Sequence, residues 1–243
     1  MVVFLFEFFE KAASFLLGKG WGSSTISHEV RAASSFLCSD RPMLFVDIGG
    51  NKGNYTGALI QRFPDSRVFV FEPSTSNCLH LETRFAQAPT VSIVRAALSD
   101  QPGQATLFSD KEGSGLASLS DRRLDHMGLS FDHEEQIEVM VFEDFWRESL
   151  GRSVIDFCKL DVEGHELSVL RGMGEALHHI KVIQFEFGGC NIDTRTFFQD
   201  FWYFFTERNF QLFRICPVGL IEIKKYKELD ERFSTTNYLA VRK

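Results

Sequence analysis

Five apolar segments, each four to nine residues long, alternate with helical patterns through the middle of the chain. This alternation constrains the fold more than any other feature. Residues 43–48, 67–71, 91–97, 154–162 and 181–187 read as strands, and residues 55–63, 75–85 and 166–177 as helices. A strand that is apolar along its whole length is buried on both faces. Such strands belong to a parallel sheet covered by helices on either side. Right-handed crossovers then leave a doubly wound, mostly parallel α/β sheet as the simple solution. Between the third and fourth strands, residues 104–108 and 137–142 read as two further strands around a polar loop, a small β insertion. An aromatic helix over 197–205 and strands at 211–215, 220–223 and 237–241 predict an antiparallel C-terminal closure. No Pro/Gly/Ser-rich linker interrupts this pattern. Residues 41–243 therefore read as one domain, preceded by a helical extension over 1–40.

Composition narrows the function. With 26 Lys plus Arg against 33 Asp plus Glu, the net charge is −7, which argues against nucleic acid as a partner. The five cysteines are odd in number and widely spaced with no CxxC, so neither a disulfide framework nor a cysteine zinc site is expected. A reducing, cytoplasmic location fits best. Residues 1–17 are strongly apolar but interrupted by Glu7, Glu10 and Lys11. They are too short and too charged to insert stably in a bilayer, and they lack the features of a signal peptide. An amphipathic helix packed on its own domain or on a second subunit is expected, so a homodimer is compatible.

The strongest local motif is Asp47-Ile48-Gly49-Gly50-Asn51-Lys52-Gly53-Asn54-Tyr55-Thr56, where the first strand turns into a helix. Glycine there lets the backbone turn tightly and approach a ligand, and the helix start offers free N–H groups. Glu72 closes the second strand, where a carboxylate can take both hydroxyls of a ribose. The glycine spacing fits a dinucleotide fingerprint poorly. It suits S-adenosylmethionine, whose ammonium Asp47 can help neutralise. Ala97, Leu98 and Ser99 would then border the adenine, with Asp100 following.

A second motif, Lys159-Leu160-Asp161-Val162-Glu163-Gly164-His165-Glu166, ends the fourth strand beside the topological switch point. If the extended form persists, Asp161, Glu163 and His165 project to one side over a common cleft. Helix capping is the alternative for His165 and Glu166. The loop Gly113-Ser114-Gly115-Leu116-Ala117-Ser118-Leu119 can close over the cofactor, and Arg195 and Arg214 can recognise an acidic group on an acceptor.

From about Phe45 to the C-terminus the chain resembles the FkbM-type S-adenosylmethionine-dependent methyltransferases. The resemblance rests on Asp47-Ile48-Gly49 with Asn51 and Gly53, on Phe71-Glu72-Pro73, on Ala97-Leu98-Ser99-Asp100, and above all on the 159–166 motif, with Phe185-Glu186-Phe187 added. Gly50 departs from the pattern, since Ala or Val is commoner there, which implies a slightly looser loop. The resemblance implies a Rossmann-like class I fold and methylation of a hydroxyl on a saccharide, glycolipid or secondary metabolite. The acceptor is thus a small molecule or glycan with a free hydroxyl. Cofactor contacts are expected from Asp47, Gly49, Asn51, Gly53, Tyr55, Thr56, Glu72, Ala97, Leu98, Ser99 and Asp161. In-line transfer to an alcohol needs a general base. His165 is the first candidate by its ordinary pKa, with Glu163 or Glu186 supporting or replacing it and Asp161 orienting the acceptor or the cofactor amine. A divalent cation among Asp161, Glu163, His165 and Glu186 is the less favoured route. The rival functions are an NAD-dependent oxidoreductase on a similar sheet and a non-catalytic binding protein that keeps the fold.

Overall fold

The computed structural model describes residues 2–22, 25–38 and 40–243. Its main sheet is built from β1 (Leu44–Ile48), β2 (Arg67–Phe71), β3 (Val91–Val94), β7 (Ile155–Leu160), β8 (Ile180–Phe187), β9 (Phe210–Cys216), β10 (Gly219–Glu222) and β11 (Thr236–Arg242), in the order β10-β9-β11-β8-β7-β1-β2-β3. The strands from β3 to β8 pair parallel, while β11 runs antiparallel to both β8 and β9. Crossover helices α3 (Asn54–Arg62), α4 (Thr75–Arg84) and α6 (Glu166–Gly172) cover it, as the apolar runs require.

Successive residues of each strand feed two cores on opposite faces. Val46, Ile48, Cys158, Leu160, Ile183 and Phe185 face the larger core, which includes α8 (Phe198–Thr206). Phe45, Phe157 and Val182 face the smaller one, which includes α3 and residues of α2 (Ile26–Ser34). The aromatic helix α8 buries Phe198, Phe201 and Phe205 completely, and Phe185 stacks between Phe201, Phe205 and Tyr238.

Three readings of the sequence are corrected. The third strand ends at Val94. After Arg95 and Ala96, β4 (Ala97–Ser99) joins a separate three-stranded sheet with β6 (His133–Val141) and β5 (Gly103–Ser109). The β insertion is thus real, but it takes over the end of a core strand. The partner that decides this lies some forty residues away and leaves no local signal. The helix expected over 166–177 stops at Gly172, and a 3₁₀ segment, Gly174–His179, replaces its second half. α5 (Phe142–Glu148), which buries Trp146, was not anticipated.

The third correction concerns α1 (Val2–Leu16), which does not pack its apolar face on its own domain. Phe4, Phe6, Phe8 and Phe9 are 58–74% exposed, whereas Ser14 is buried. Polar groups face the body: Glu10 lies 3.5 Å from Arg232. By contrast α2 is an integral part of the smaller core through Val30 and Ala33.

Truncating Phe185 removes one ring from a four-ring stack at the centre of the larger core. Phe185→Ala is expected to lower unfolding free energy by about 3–5 kcal/mol, measured by urea denaturation.

Candidate active site

The glycine loop follows β1. The N–H groups of Gly49 and Gly50 both donate to the Phe71 carbonyl at 2.9 and 3.0 Å, which ties the loop to the end of β2. Gly49 has φ +83°, and a Cβ there would lie 1.8 Å from the Asp161 carbonyl oxygen. No other residue lets the first turn press so closely on the end of β7. Gly50 is equally constrained in this arrangement, because its Cβ would meet Val70 Cγ1 at 2.1 Å. It therefore marks tight packing rather than a looser loop. Gly53 opens α3 and packs against Leu81 and Phe85 beneath the loop, away from the cavities, so it shapes the turn without reaching a ligand.

Two cavities meet at Gly49, Asn51 and Asp161. The first is walled by Phe71, Ala97, Leu98 and Leu107, with Glu72 at its edge and residues 114–119 laid across it. The Glu72 oxygens accept the N–H of Asn51 at 2.7 Å and of Ser74 at 2.9 Å. Burial raises the Glu72 pKa against these bonds. Oε1 also accepts the Asn77 side-chain amide at 3.4 Å, while Oε2 keeps acceptor capacity for a further donor. The loop 113–119 is held over this cavity by a two-way backbone bridge between Ser118 and Phe108 and by the Ser118 hydroxyl on the Glu163 carbonyl at 2.8 Å.

The second cavity, of about 250 Å³, lies under α2 and is lined by Glu29, Asp47, Tyr55, Lys159, Asp161 and Glu186 among others. Strand register creates it. Asp47 pairs with Lys159, and Lys159 with Gln184, so the three side chains form one row across β1, β7 and β8 on the face of the smaller core. Asp161 and Glu186 lie one strand period further toward the strand ends. Thr56 donates to Asp47 at 2.5 Å, Lys159 to Asp161 at 3.0 Å, and Tyr55 to the Gln184 carbonyl oxygen at 2.6 Å. Burial pushes Asp47 up to about 6, against the Thr56 bond and the Lys159 charge. Burial also raises Glu186 well above the usual carboxylate range, reinforced by Asp161 and opposed by Lys159. Burial alone would lower Lys159. The charges of Asp161, Glu29 and Glu186 override it and hold the ammonium above its ordinary value.

The extended form does not persist beyond β7. Glu163 and Gly164 adopt φ +51° and +101°, so the chain turns back, yet Asp161, Glu163 and His165 all line the first cavity. Asp161 faces both cavities. Glu163 pairs with Arg122 at 2.7 Å, and Arg122 also holds Asp193 at 3.1 Å. Burial beside Asp161 pushes Glu163 upward against that guanidinium. His165, which lines the first cavity, reaches Ser99 Oγ through Nε2 at 2.9 Å, next to Asp100. Burial lowers its pKa, with Asp100 opposing, and this favours the neutral imidazole. Glu166 is fully buried. It accepts the N–H groups of Val162 and Gly164 at 3.0 and 3.2 Å and so holds the reversed turn. Burial raises it to about 7 against these bonds.

The predicted site residues thus separate into groups. Gly49, Asn51 and Asp161 join the cavities; Glu72, Ala97, Leu98, Glu163 and His165 line the first, and Asp47, Tyr55 and Glu186 the second. Gly53, Thr56 and Ser99 line neither and support those that do. Asp161, Glu163, His165 and Glu186 do not converge as a ligand set. Among the described residues no group of three or more His, Cys, Asp or Glu side chains is arranged for a metal ion. Arg214, read as a surface or acceptor-binding charge, is buried and paired with Asp230 at 3.0 Å. The sequence reading missed Lys159, Gln184, Glu29 and Asn237. The first two carried a signal, as polar residues inside otherwise apolar strands. The others become visible only when α2 and β11 are placed.

The strand order, with β11 inserted antiparallel between β8 and β9, together with a glycine loop, a β2 carboxylate and an acidic β7 end, defines a class I S-adenosylmethionine-dependent methyltransferase fold. The chain belongs to the FkbM methyltransferase family: the methyltransferase FkbM domain matches residues 47–212. It is 28% identical over 145 residues to "Methyltransferase 1" of Beauveria bassiana, an alignment covering 54% of this chain and 58% of that protein. It is 25% identical over 167 residues to the "2-O-methyltransferase NoeI" of Sinorhizobium fredii, covering 65% of this chain and 68% of that one. The match to the first relative therefore spans little more than half of its length. Among solved structures, a precorrin-6y C5,15-methyltransferase from Geobacter metallireducens is similar with a TM-score of 0.46 at 12% identity, covering 88% of this chain and 86% of that one.

The raised carboxylates have a consequence for stability. Asp47 and Glu166 keep their protons in the folded chain at pH values where the unfolded chain has released them. Folding is therefore favoured least once pH has risen past the folded values of about 6 and about 7. The ligand-free melting temperature is expected to fall between about pH 5 and about pH 8, and Glu166→Gln should flatten that slope in thermal melts recorded across the range.

Proposed function

We propose that this chain is an S-adenosylmethionine-dependent O-methyltransferase whose acceptor is a hydroxyl of a saccharide, glycolipid or secondary metabolite. The observation that carries this reading is the pair of cavities joined at Gly49, Asn51 and Asp161, one with an apolar wall of Phe71, Ala97, Leu98 and Leu107 beside Glu72 and the other acidic. The residues present fit the cofactor. Glu72 Oε2 retains a lone pair for a ribose hydroxyl, Phe71, Ala97 and Leu98 offer apolar surface for a base, and Asp47 and Asp161 suit an ammonium. When bound, S-adenosylmethionine supplies a methyl group already activated by a positively charged sulfur.

The chain has to orient a hydroxyl and remove its proton. Glu186 is the best-placed base, because it faces the acidic cavity and its raised pKa makes it a better proton acceptor than an ordinary carboxylate. A cation held by its neighbours favours its ionised form. The Glu186 carboxylate would take the proton of the acceptor hydroxyl as the methyl carbon exchanges its bond to sulfur for one to that oxygen and the sulfur leaves as a neutral thioether. His165, bonded to Ser99, positions β4 rather than acting as the base. Lys159 donates to Asp161 and orients it. The name of the Sinorhizobium relative supports an oxygen acceptor. A reducing, cytoplasmic setting agrees with five unpaired cysteines, and no helix among the described residues is long and apolar enough to cross a membrane.

Calorimetric titration tests the reading. The protein is expected to bind S-adenosylhomocysteine and not NAD, and Glu72→Ala should weaken binding by about tenfold or more, or ~1.4 kcal/mol. Glu186→Gln is expected to lower kcat on an acceptor by about 10²-fold or more while leaving S-adenosylhomocysteine affinity within about twofold. Activity should survive EDTA. Binding of NAD alone would move the protein to the oxidoreductases, and wild-type turnover by Glu186→Gln would remove that residue as the base.

A further inference from the structure

The acidic cavity is walled in part by residues outside the family-matched stretch of 47–212: Gly22, Ile26 and Glu29 from the N-terminal segment and Asn237 from β11. We infer that Glu29 is a cofactor-binding residue, whose carboxylate receives the ammonium of the zwitterionic amino-acid end of S-adenosylmethionine. This inference rests on the cofactor reading above.

Glu29 is 3% exposed. One carboxylate oxygen accepts the Thr25 hydroxyl at 2.6 Å, and the other accepts the Gln184 amide N–H at 2.6 Å. Both partners are neutral, and no ion pair found among the described residues includes Glu29. A buried carboxylate held only by neutral donors is costly, and buried charge is ordinarily matched by opposite charge. The basic side chain lining this cavity nearest the row is Lys159, and it donates to Asp161 instead. Glu29, Asp47 and Asp161 thus share the cavity with two lysines, Lys52 and Lys159, and Lys159 is taken up by Asp161; a ligand whose ammonium and sulfonium outweigh its own carboxylate would offset the remaining excess of carboxylates.

The orientation is imposed by the fold. The Tyr55 hydroxyl donates to the Gln184 carbonyl oxygen, so the Gln184 NH₂ must point to Glu29 and to Asn237, the latter at 3.3 Å. The segment that carries Glu29 is pinned across the start of β11. The Gly20 N–H donates to Thr236 Oγ1 at 2.9 Å, and Gly22 packs on Thr235 so closely that a Cβ would lie 2.7 Å from its carbonyl oxygen. The N-terminal segment is thereby fastened beside the cavity, with Glu29 facing the space next to Lys159 and Tyr55.

The test compares two ligands on wild type and Glu29→Gln by calorimetry. S-adenosylhomocysteine has the amino-acid end, and 5′-methylthioadenosine lacks it. Glu29→Gln keeps the size and hydrogen-bonding reach of the side chain and removes its charge. It is expected to weaken S-adenosylhomocysteine by about tenfold, with 5′-methylthioadenosine affinity within about twofold of wild type and an unchanged melting temperature. Glu29→Asp, which restores the charge on a shorter arm, should recover part of the loss. Unchanged S-adenosylhomocysteine affinity overturns the inference. An equal loss for both ligands also overturns it, because Glu29 would then only support the fold. A wild-type protein that binds neither ligand overturns the cofactor reading itself.

Discussion

The register of β1 against β7 and of β7 against β8 is the constraint on which the site depends. It places Asp47, Lys159 and Gln184 side by side on one face of a sheet whose next row inward is Phe45, Phe157 and Val182. A slip of one residue would carry the three polar side chains into the larger core, where Val46, Cys158 and Ile183 now pack. The face thus changes from apolar to charged within one strand period of the ligand end. Charges placed there cannot stay unpaired in a low-dielectric setting. Lys159 bonds Asp161, Thr56 bonds Asp47, and Gln184 links Tyr55 to Glu29. The polar row explains why α2 lies where it does, since Glu29 on α2 covers Gln184 and accepts its amide N–H.

The second organising feature is the reversal after β7. A straight continuation would have aimed Asp161, Glu163 and His165 at one cleft. Instead the chain reverses at the left-handed residues Glu163 and Gly164, all three side chains still border the first cavity, and buried Glu166 ties the turn by accepting two of its backbone N–H groups. The motif thereby serves several ends at once. Asp161 stays at the junction of the cavities, Glu163 anchors the 109–135 excursion through Arg122, and His165 braces β4 through Ser99. The long excursion between β5 and β6 is in this way fastened to the strand that carries the chemistry.

Much of this was legible in residues. Runs of apolar side chains marked β1, β2, β7 and β8 to within two residues, because strands buried on both faces are mostly apolar along their length. Gly49 and Glu72 were readable because only a few residue types serve at a tight βα turn or a ribose-facing strand end. Lys159 and Gln184 stand inside apolar runs and could have been read as buried polar groups awaiting partners. The end of β3 at Val94 was not legible, since nothing in Arg95-Ala96 distinguishes a strand that continues from one that changes sheets. Nor was the outward aspect of α1, because its apolar composition by itself states no direction.

The sequence alone determined the doubly wound architecture, the glycine turn, the β2 carboxylate and the acidic end of β7. Each follows from local sterics or from periodicity along a single segment. Only the tertiary structure decided which of the acidic groups share a cavity, that Glu163 and His165 turn away from Glu186, and that Glu29 and Asn237 enter the site from segments far apart in the chain. Those outcomes depend on strand register and helix placement, which are set by pairing and packing between distant residues, and no local pattern carries that information.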